Sequence, residues 1–279
     1  MAYNRGVGLT QVHPSPGADI DTDIDIIAIH GLDTKSPDTW VSRSNHLDGD
    51  VNWLASPRML PGRIGPARIF TCDWPADLLE QSDLIQKTAE EFARLLLAGI
   101  KRRPLPTKTG YAKGKDRPIV FIASCLGGII LIKALVIAGH SSEYAVVRQS
   151  TRGIVFLATP FRGTSFQDVA DWAEPGLRAW TSIRGQRVSS LLDDVKGSTF
   201  HLEELVRKFT QLCHDKDPPC QVGTFYELGL TSLHRKFPLS WLIPSKVLDV
   251  VVPPKPVSTM GLSGIYFPPN VIFHGKANT

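Results

Sequence analysis

Between Pro118 and Ala138 the chain reads as a strand, a six-residue joint and a helix, and few architectures accommodate that succession. Pro118-Ile119-Val120-Phe121-Ile122 is apolar and rich in β-branched residues, and Ile129 to Ile137 is apolar on every face of a helix. The joint, Ala123-Ser124-Cys125-Leu126-Gly127-Gly128, is made of small residues around one nucleophile-type side chain. From Ile119 to Gly139 the chain runs 21 residues with a single charge, Lys133, close to the length of a membrane span. The joint interrupts that run after five residues. A central strand of a parallel sheet and the helix packed at its centre are both buried all round, so they too read as continuous apolar runs. The second reading fits the interruption; the first does not.

The rest of the chain alternates strand-like and helix-like segments, which argues for a mostly parallel sheet with helices on both faces. Residues 1–22 read as a leader or edge segment. Ile24 to Ile29 is a buried strand ending in His30-Gly31-Leu32-Asp33, and Ala67 to Thr71 is a second. Leu84 to Ile100 shows one broad apolar helical face. Residues 101–117 read as a basic, solvated surface loop. Gly153 to Leu157 and Val222 to Tyr226 are further strands, Phe200 to Leu212 is an amphipathic helix, and Lys246 to Val252 is a last strand. Helical pieces are expected at 164–198, carrying Trp172 and Trp180. A strand-to-helix elbow with a nucleophile at its apex is the mark of the α/β-hydrolase fold, usually spelled Gly-x-Ser-x-Gly. Ala123 stands here for the first glycine, Cys125 for the serine, and Gly127 matches the second. The expected fold is therefore an α/β-hydrolase domain over 23–259, with a helical cap at about 164–198 and a divergent tail at 260–279.

Composition removes other classes. Apolar residues make up 42% and charged residues 21%, ordinary for a globular domain, and the net charge of +4 with no nucleic-acid module gives no reason to expect a nucleic-acid partner. Met1 to Asp23 has no apolar core of a signal peptide. The four cysteines form no dense framework and no Cys-x-x-Cys pair, which suits a reducing compartment, with the cytoplasm as the expected location. Cys213-His214 with Cys220 lacks a fourth metal ligand and a familiar spacing, so neither metal nor cofactor is expected.

An elbow lifts one side chain off the sheet and aims a helix N-terminus at it; small residues at 123, 127 and 128 let the backbone cross closely. A thiol there is favoured as thiolate by the helix amides and can attack an acyl carbon to give a thioester, provided a histidine shuttles the proton. The N–H of Leu126 would supply one oxyanion donor, and Leu32 or Asp33, after the first strand, the second. His30 is expected to brace that loop, with Ser124, Gly127 and Gly128 supporting the elbow. Glu227, at the end of the strand after the cap, meets the positional demand on the triad acid. The base belongs after the final strand, where His274 is the one histidine; His234 follows Glu227 closely.

On these residues the chain resembles the fungal serine-esterase-like α/β-hydrolase domains often found N-terminal to NACHT or NB-ARC modules. It is similar to the lipase-like domain of a serine-active-site family of phosphatidylglycerol remodelling at mitochondria–endoplasmic reticulum contacts, and more distantly to GPI inositol-deacylase-like lipases. The resemblance is carried by Asp25 to Leu32 with Trp40, by Asn52-Trp53-Leu54, Leu60-Pro61 and Ala67-Arg68-Ile69, by Arg117 through Gly128, by Gly153 to Gly163, and by Phe225-Tyr226-Glu227. It implies a carboxylic-ester hydrolase acting on an acyl ester or lipid-like molecule. Association with a mitochondrial or endoplasmic reticulum membrane, or with NLR-type signalling partners, is implied by the resemblance alone. Three positions depart from the family pattern: Cys125 at the nucleophile, Ser124 before it, and Phe161 in Thr159-Pro160-Phe161-Arg162-Gly163. The stretch Gly261 to Thr279 also lacks the Asp-His pair that the family carries there. Two readings stay open: an acyl hydrolase with an elbow cysteine, and a catalytically inactive hydrolase fold serving as a signalling or interaction module.

Overall fold

Asp25 is a carboxylate inside a run of isoleucines, and the chain surrounds it with cations. The computed structural model describes residues 7–15, 18, 22–31, 35, 36, 38–42, 49–74, 79–81, 89–103, 117–159, 186–188 and 199–225. Within these, Ile24–Ile29 (β2) lies between Ala67–Asp73 (β5) and Ile119–Ser124 (β7), parallel to both. Gly8–His13 (β1) pairs antiparallel with the outer side of β5. Beyond β7 come Thr151–Leu157 (β8) and Gln221–Phe225 (β10), again parallel. The sheet order is therefore β1-β5-β2-β7-β8-β10, mostly parallel with one antiparallel edge, which is the α/β-hydrolase arrangement. Gly8–His13 supplies that edge strand from the stretch read as a leader or edge segment. Two short antiparallel ribbons complete the strands: Val41–Ser42 (β3) with Val51–Asn52 (β4), and Leu79–Gln81 (β6) with Gln186–Val188 (β9).

One face of the sheet carries the three long helices: Ala89–Lys101 (α2), Leu126–His140 (α3) and Thr199–His214 (α5). They share one core with Ile27, Ile29, Phe70, Phe121 and Phe156. Ala145–Ser150 (α4) leads from α3 into β8. Its residue Val147 belongs to the same core. The other face is lighter. Ile26, Ala28, Ile69 and Ile122 pack there on Trp40 of a 3-10 turn and on Leu54, with Leu60 beside the one-turn helix Pro61–Ile64 (α1). Helices thus flank both faces, unequally among the described residues.

The ambiguous apolar run resolves as β7 followed by α3, broken at Cys125. Leu126, Leu131, Ile132 and Ala134 are fully buried in the helical-face core. Among the described residues no single helix is long and apolar enough to cross a membrane; α3 and the next helical piece pass together only as a pair bent by 113°. In the segment expected as a helical cap, the described residues Gln186–Val188 form a strand, because the backbone of Leu79–Gln81 offers them ladder partners. The rest of 164–198, the expected strand at 246–252 and the tail at 260–279 lie outside the described residues.

The basic stretch expected as a solvated loop divides. Lys101 and Arg102 are exposed, but Arg103 and Arg117 are buried with Arg68 around Asp25, itself 0% exposed. Arg68 binds both carboxylate oxygens at 2.8 and 2.9 Å, Arg103 Nε donates at 2.9 Å and Arg117 Nε at 2.7 Å. Arg117 also donates to the Thr22 hydroxyl at 2.6 Å and to the Thr22 carbonyl. Burial raises the Asp25 carboxyl, but the hydrogen bonds and charges of Arg68 and Arg117 outweigh it and hold the pKa below the ordinary carboxylate value. The stabilisation this gives is fully present above the unfolded-state pKa of about 4 and is lost as pH falls through the lower folded-state value. Asp25→Asn leaves three guanidiniums without their shared anion and is expected to cost about 3–5 kcal/mol at neutral pH. Urea midpoints followed from about pH 7 to about pH 2 should also show the variant losing part of the wild-type acid limb.

Candidate active site

The parallel register sets the carboxyl ends of the central strands level. Ile29 pairs with both Cys72 and Ala123, and Ser124 pairs with Leu157. The residues that come next therefore form a row along one edge: Trp74 after β5, His30-Gly31 after β2, Cys125 after β7 and Ala158-Thr159 after β8. From β2 the chain next adds β5 on one side and then β7 on the other. Such a reversal opens a crevice at the carboxyl edge, the usual place for a ligand in an open α/β sheet.

Cys125 occupies the turn from β7 into α3 with φ 50° and ψ −128°, a conformation that L-residues rarely adopt. Strain of this kind costs on the order of 1–3 kcal/mol and persists only where the surroundings impose it. Here they do. The Cys125 N–H donates to the Leu157 carbonyl at 2.9 Å, and its carbonyl accepts from the Gly128 N–H at 3.0 Å. A Cβ on Gly127 would stand 2.2 Å from the His30 carbonyl oxygen, and one on Gly128 would stand 2.2 Å from Thr159 Oγ1. On Gly31 it would stand 2.9 Å from Cys125 Cβ and 3.7 Å from Sγ, so the thiol lies beside the loop that leaves β2. The thiol is reduced and half-buried. Leu126 is the first helical residue, so its N–H has no intrahelical acceptor, and its side chain is fully buried.

His30 is 1% exposed and is held by its own neighbours. Nδ1 lies 2.9 Å from the Gly31 carbonyl, and the Trp74 N–H approaches Nε2 at 3.4 Å, which suits the Nδ1–H tautomer. The Trp74 ring stacks on the imidazole with centroids 5.6 Å apart, and its indole N–H donates to the His30 carbonyl at 3.0 Å. That carbonyl is the group packed against Gly127, so Trp74 fixes the contact that shapes the turn.

The expected residues divide between described and undescribed. Cys125, Leu126, His30, Ser124, Gly127 and Gly128 come together with Gly31. Leu32, Asp33, Glu227, His234 and His274 lie outside the described residues, as does Phe161. Three neighbours of the turn had no role assigned from the sequence, although Ala158 and Thr159 lie in the Gly153 to Gly163 block. Trp74 is 44 residues from the histidine it covers. Ala158 has φ 51° and donates its N–H to the Phe225 carbonyl at 2.8 Å, closing the next strand end. The Thr159 hydroxyl is buried without a hydrogen-bond partner against the first turn of α3. Cys72 is inert by environment: burial, with the Asp73 carboxylate beside it, pushes its thiol far above the ordinary value. Among the described residues no group of three or more His, Cys, Asp or Glu is placed to hold a metal.

The chain is similar to protein SERAC1, at 24% identity over 174 residues for the Homo sapiens protein and 26% over 179 residues for that of Danio rerio. These matches cover 56% and 58% of this chain, and about a quarter of the relatives' own length. No family model matches. Among solved structures, the mature Bacillus licheniformis lipase BlEst2 aligns with TM-score 0.44 and 14% identity, covering 80% of this chain and 72% of that one. The Vlm2 thioesterase domain aligns with TM-score 0.34 and 12% identity, covering 77% and 63%. The homology is distant, and the fold assignment rests on the strand order and pairing of the sheet itself.

The turn makes opposite demands on two neighbouring residues. Gly127→Ala drives a methyl group into a fixed carbonyl and is expected to lower the unfolding free energy by about 2–3 kcal/mol. Cys125→Gly suits the positive φ and is expected to leave it unchanged within about 0.5 kcal/mol or to raise it. Urea midpoints measure both; equal losses would contradict a strained turn held by close packing.

Proposed function

We propose that this chain is an esterase- or lipase-like acyl hydrolase in which Cys125 replaces the usual serine. One observation carries the reading: a non-glycine nucleophile held at φ 50° between β7 and the buried helix α3, beside the loop leaving β2 at the point where the strand order reverses. Strained side chains of this kind gather at reactive centres because the strain fixes the group for its task.

In this mechanism the Cys125 thiol gives its proton to an imidazole, assigned to His274 and oriented by Glu227, and sulfur attacks the acyl carbon. The oxyanion accepts hydrogen bonds from the Leu126 N–H and from an N–H of the loop at Leu32 or Asp33. The alcohol leaves with the proton, a thioester remains on Cys125, and water releases the acid by the same proton path. The substrate class is an acyl ester or lipid-like ester, in keeping with the family resemblance.

Purified protein is incubated with p-nitrophenyl butyrate, following p-nitrophenolate release and the butyryl adduct by peptide mass spectrometry. The adduct is expected on Cys125. Cys125→Ala is expected to lose it and to lower turnover by about 10³-fold or more. Neither turnover nor adduct in a folded wild-type chain would replace this reading with that of an inactive hydrolase fold serving as an interaction module.

A further inference from the structure

The far edge of the sheet holds two thiols that the acyl-transfer reading does not use. Cys213 lies in the last turn of α5 and Cys220 immediately precedes β10. The Cys220 N–H donates to the Cys213 carbonyl at 3.1 Å. A backbone hydrogen bond of that length leaves the two Cα atoms about 5–7 Å apart, largely within the span a disulfide bridges. Both residues line one cleft with Leu135, Phe209, Arg148 and Lys216. Both are reduced; Cys213 is buried and Cys220 half-buried.

The surroundings make the two thiols unequal. The hydrogen bond from Cys213, then the charges of Lys216 and Arg152, draw the Cys220 thiol below its ordinary pKa against the effect of burial. The neighbouring sulfur and burial push the Cys213 thiol up. Burial, and the positive charge of Arg152, lower Lys216 in turn. Cys220 is the more exposed of the two sulfurs, so it meets a peroxide from solvent first, and buried Cys213 stands beside it as the resolving thiol.

We propose that Cys213 and Cys220 form a reversible intrachain disulfide in response to hydrogen peroxide, with Cys220 oxidised first and Cys213 resolving. Cys220 sulfur attacks one peroxide oxygen, the O–O bond breaks, and the leaving hydroxide takes a proton to become water. Cys220 is then a sulfenic acid. Cys213 sulfur attacks Cys220 sulfur, the S–O bond breaks, and the hydroxyl leaves as water with the Cys213 proton. Two electrons pass from the sulfur pair to the peroxide, and a dithiol returns them. The bridge ties the end of α5 to the start of β10, the strand that leads to Tyr226-Glu227.

The whole folded chain is treated with hydrogen peroxide, then denatured, alkylated and mapped by mass spectrometry. Two of the four cysteines are expected to escape alkylation as a Cys213–Cys220 crosslinked peptide, and dithiothreitol should restore both. The oxidised form should melt higher by about 5 °C, from closure of a short loop. In Cys213→Ser, Cys220 should stop at the sulfenic acid and be trapped by dimedone. In Cys220→Ser, Cys213 should remain alkylatable after peroxide. Full alkylation of Cys213 and Cys220 in treated wild-type protein overturns the proposal, as does a crosslink found only between chains. The wild-type map decides this even if a variant fails to fold.

Discussion

Asp25 is the constraint on which the central sheet depends. Its carboxylate sits at the amino end of β2 and binds Arg68 from β5, Arg103 just past α2, and Arg117 just before β7. A buried ion cluster of this kind adds little net stability over an apolar set of equal volume, because desolvation offsets most of the attraction. Breaking it is another matter, since each stranded charge stays buried. The cluster therefore acts mainly as a register device. A slip of β5 or β7 along β2 would pull a guanidinium away from its carboxylate, on top of moving apolar residues to the wrong face.

What the amino ends lock, the carboxyl ends use. With the strands held level, Cys125 meets Gly31 and Trp74 meets His30 without any loop having to reach for its neighbour. The strain at Cys125 is of order 1–3 kcal/mol. Full burial of one large aliphatic side chain contributes about 1.5–3 kcal/mol, and the core around α3 contains many such side chains. The packing thus holds the strained turn easily. The same packing requires glycine at 127 and 128, where the His30 carbonyl and the Thr159 side chain leave no room for a methyl group.

Much of this was legible in the sequence because burial writes itself as pattern. The apolar residues of β2, broken only by Asp25, and those of β7 announce a parallel sheet, and the small residues at 123, 127 and 128 announce a close turn. The buried arginines were not legible. Arg103 and Arg117 sit in a basic stretch that looks solvated, and only a partner carrying the opposite charge, far away in sequence, takes them inside. Trp74 and Ala158 were missed for the same reason: their roles come from a histidine carbonyl and a strand end that the chain brings near only by folding. The strand at Gly8–His13 was hard to read because an edge strand alternates weakly and gains its definition from β5.

By itself, then, the sequence determined the class of fold, the place of the tight turn between β7 and α3 and the identity of its central side chain, since these follow from local pattern and residue size. Only the tertiary structure decided that Cys125 is strained, that its thiol lies beside Gly31, that Trp74 stacks on His30, and that Arg68, Arg103 and Arg117 share the Asp25 carboxylate. Each of these depends on contacts between segments distant along the chain, which strand register sets; the meeting of Cys213 and Cys220 depends instead on how the short connection from α5 to β10 folds back.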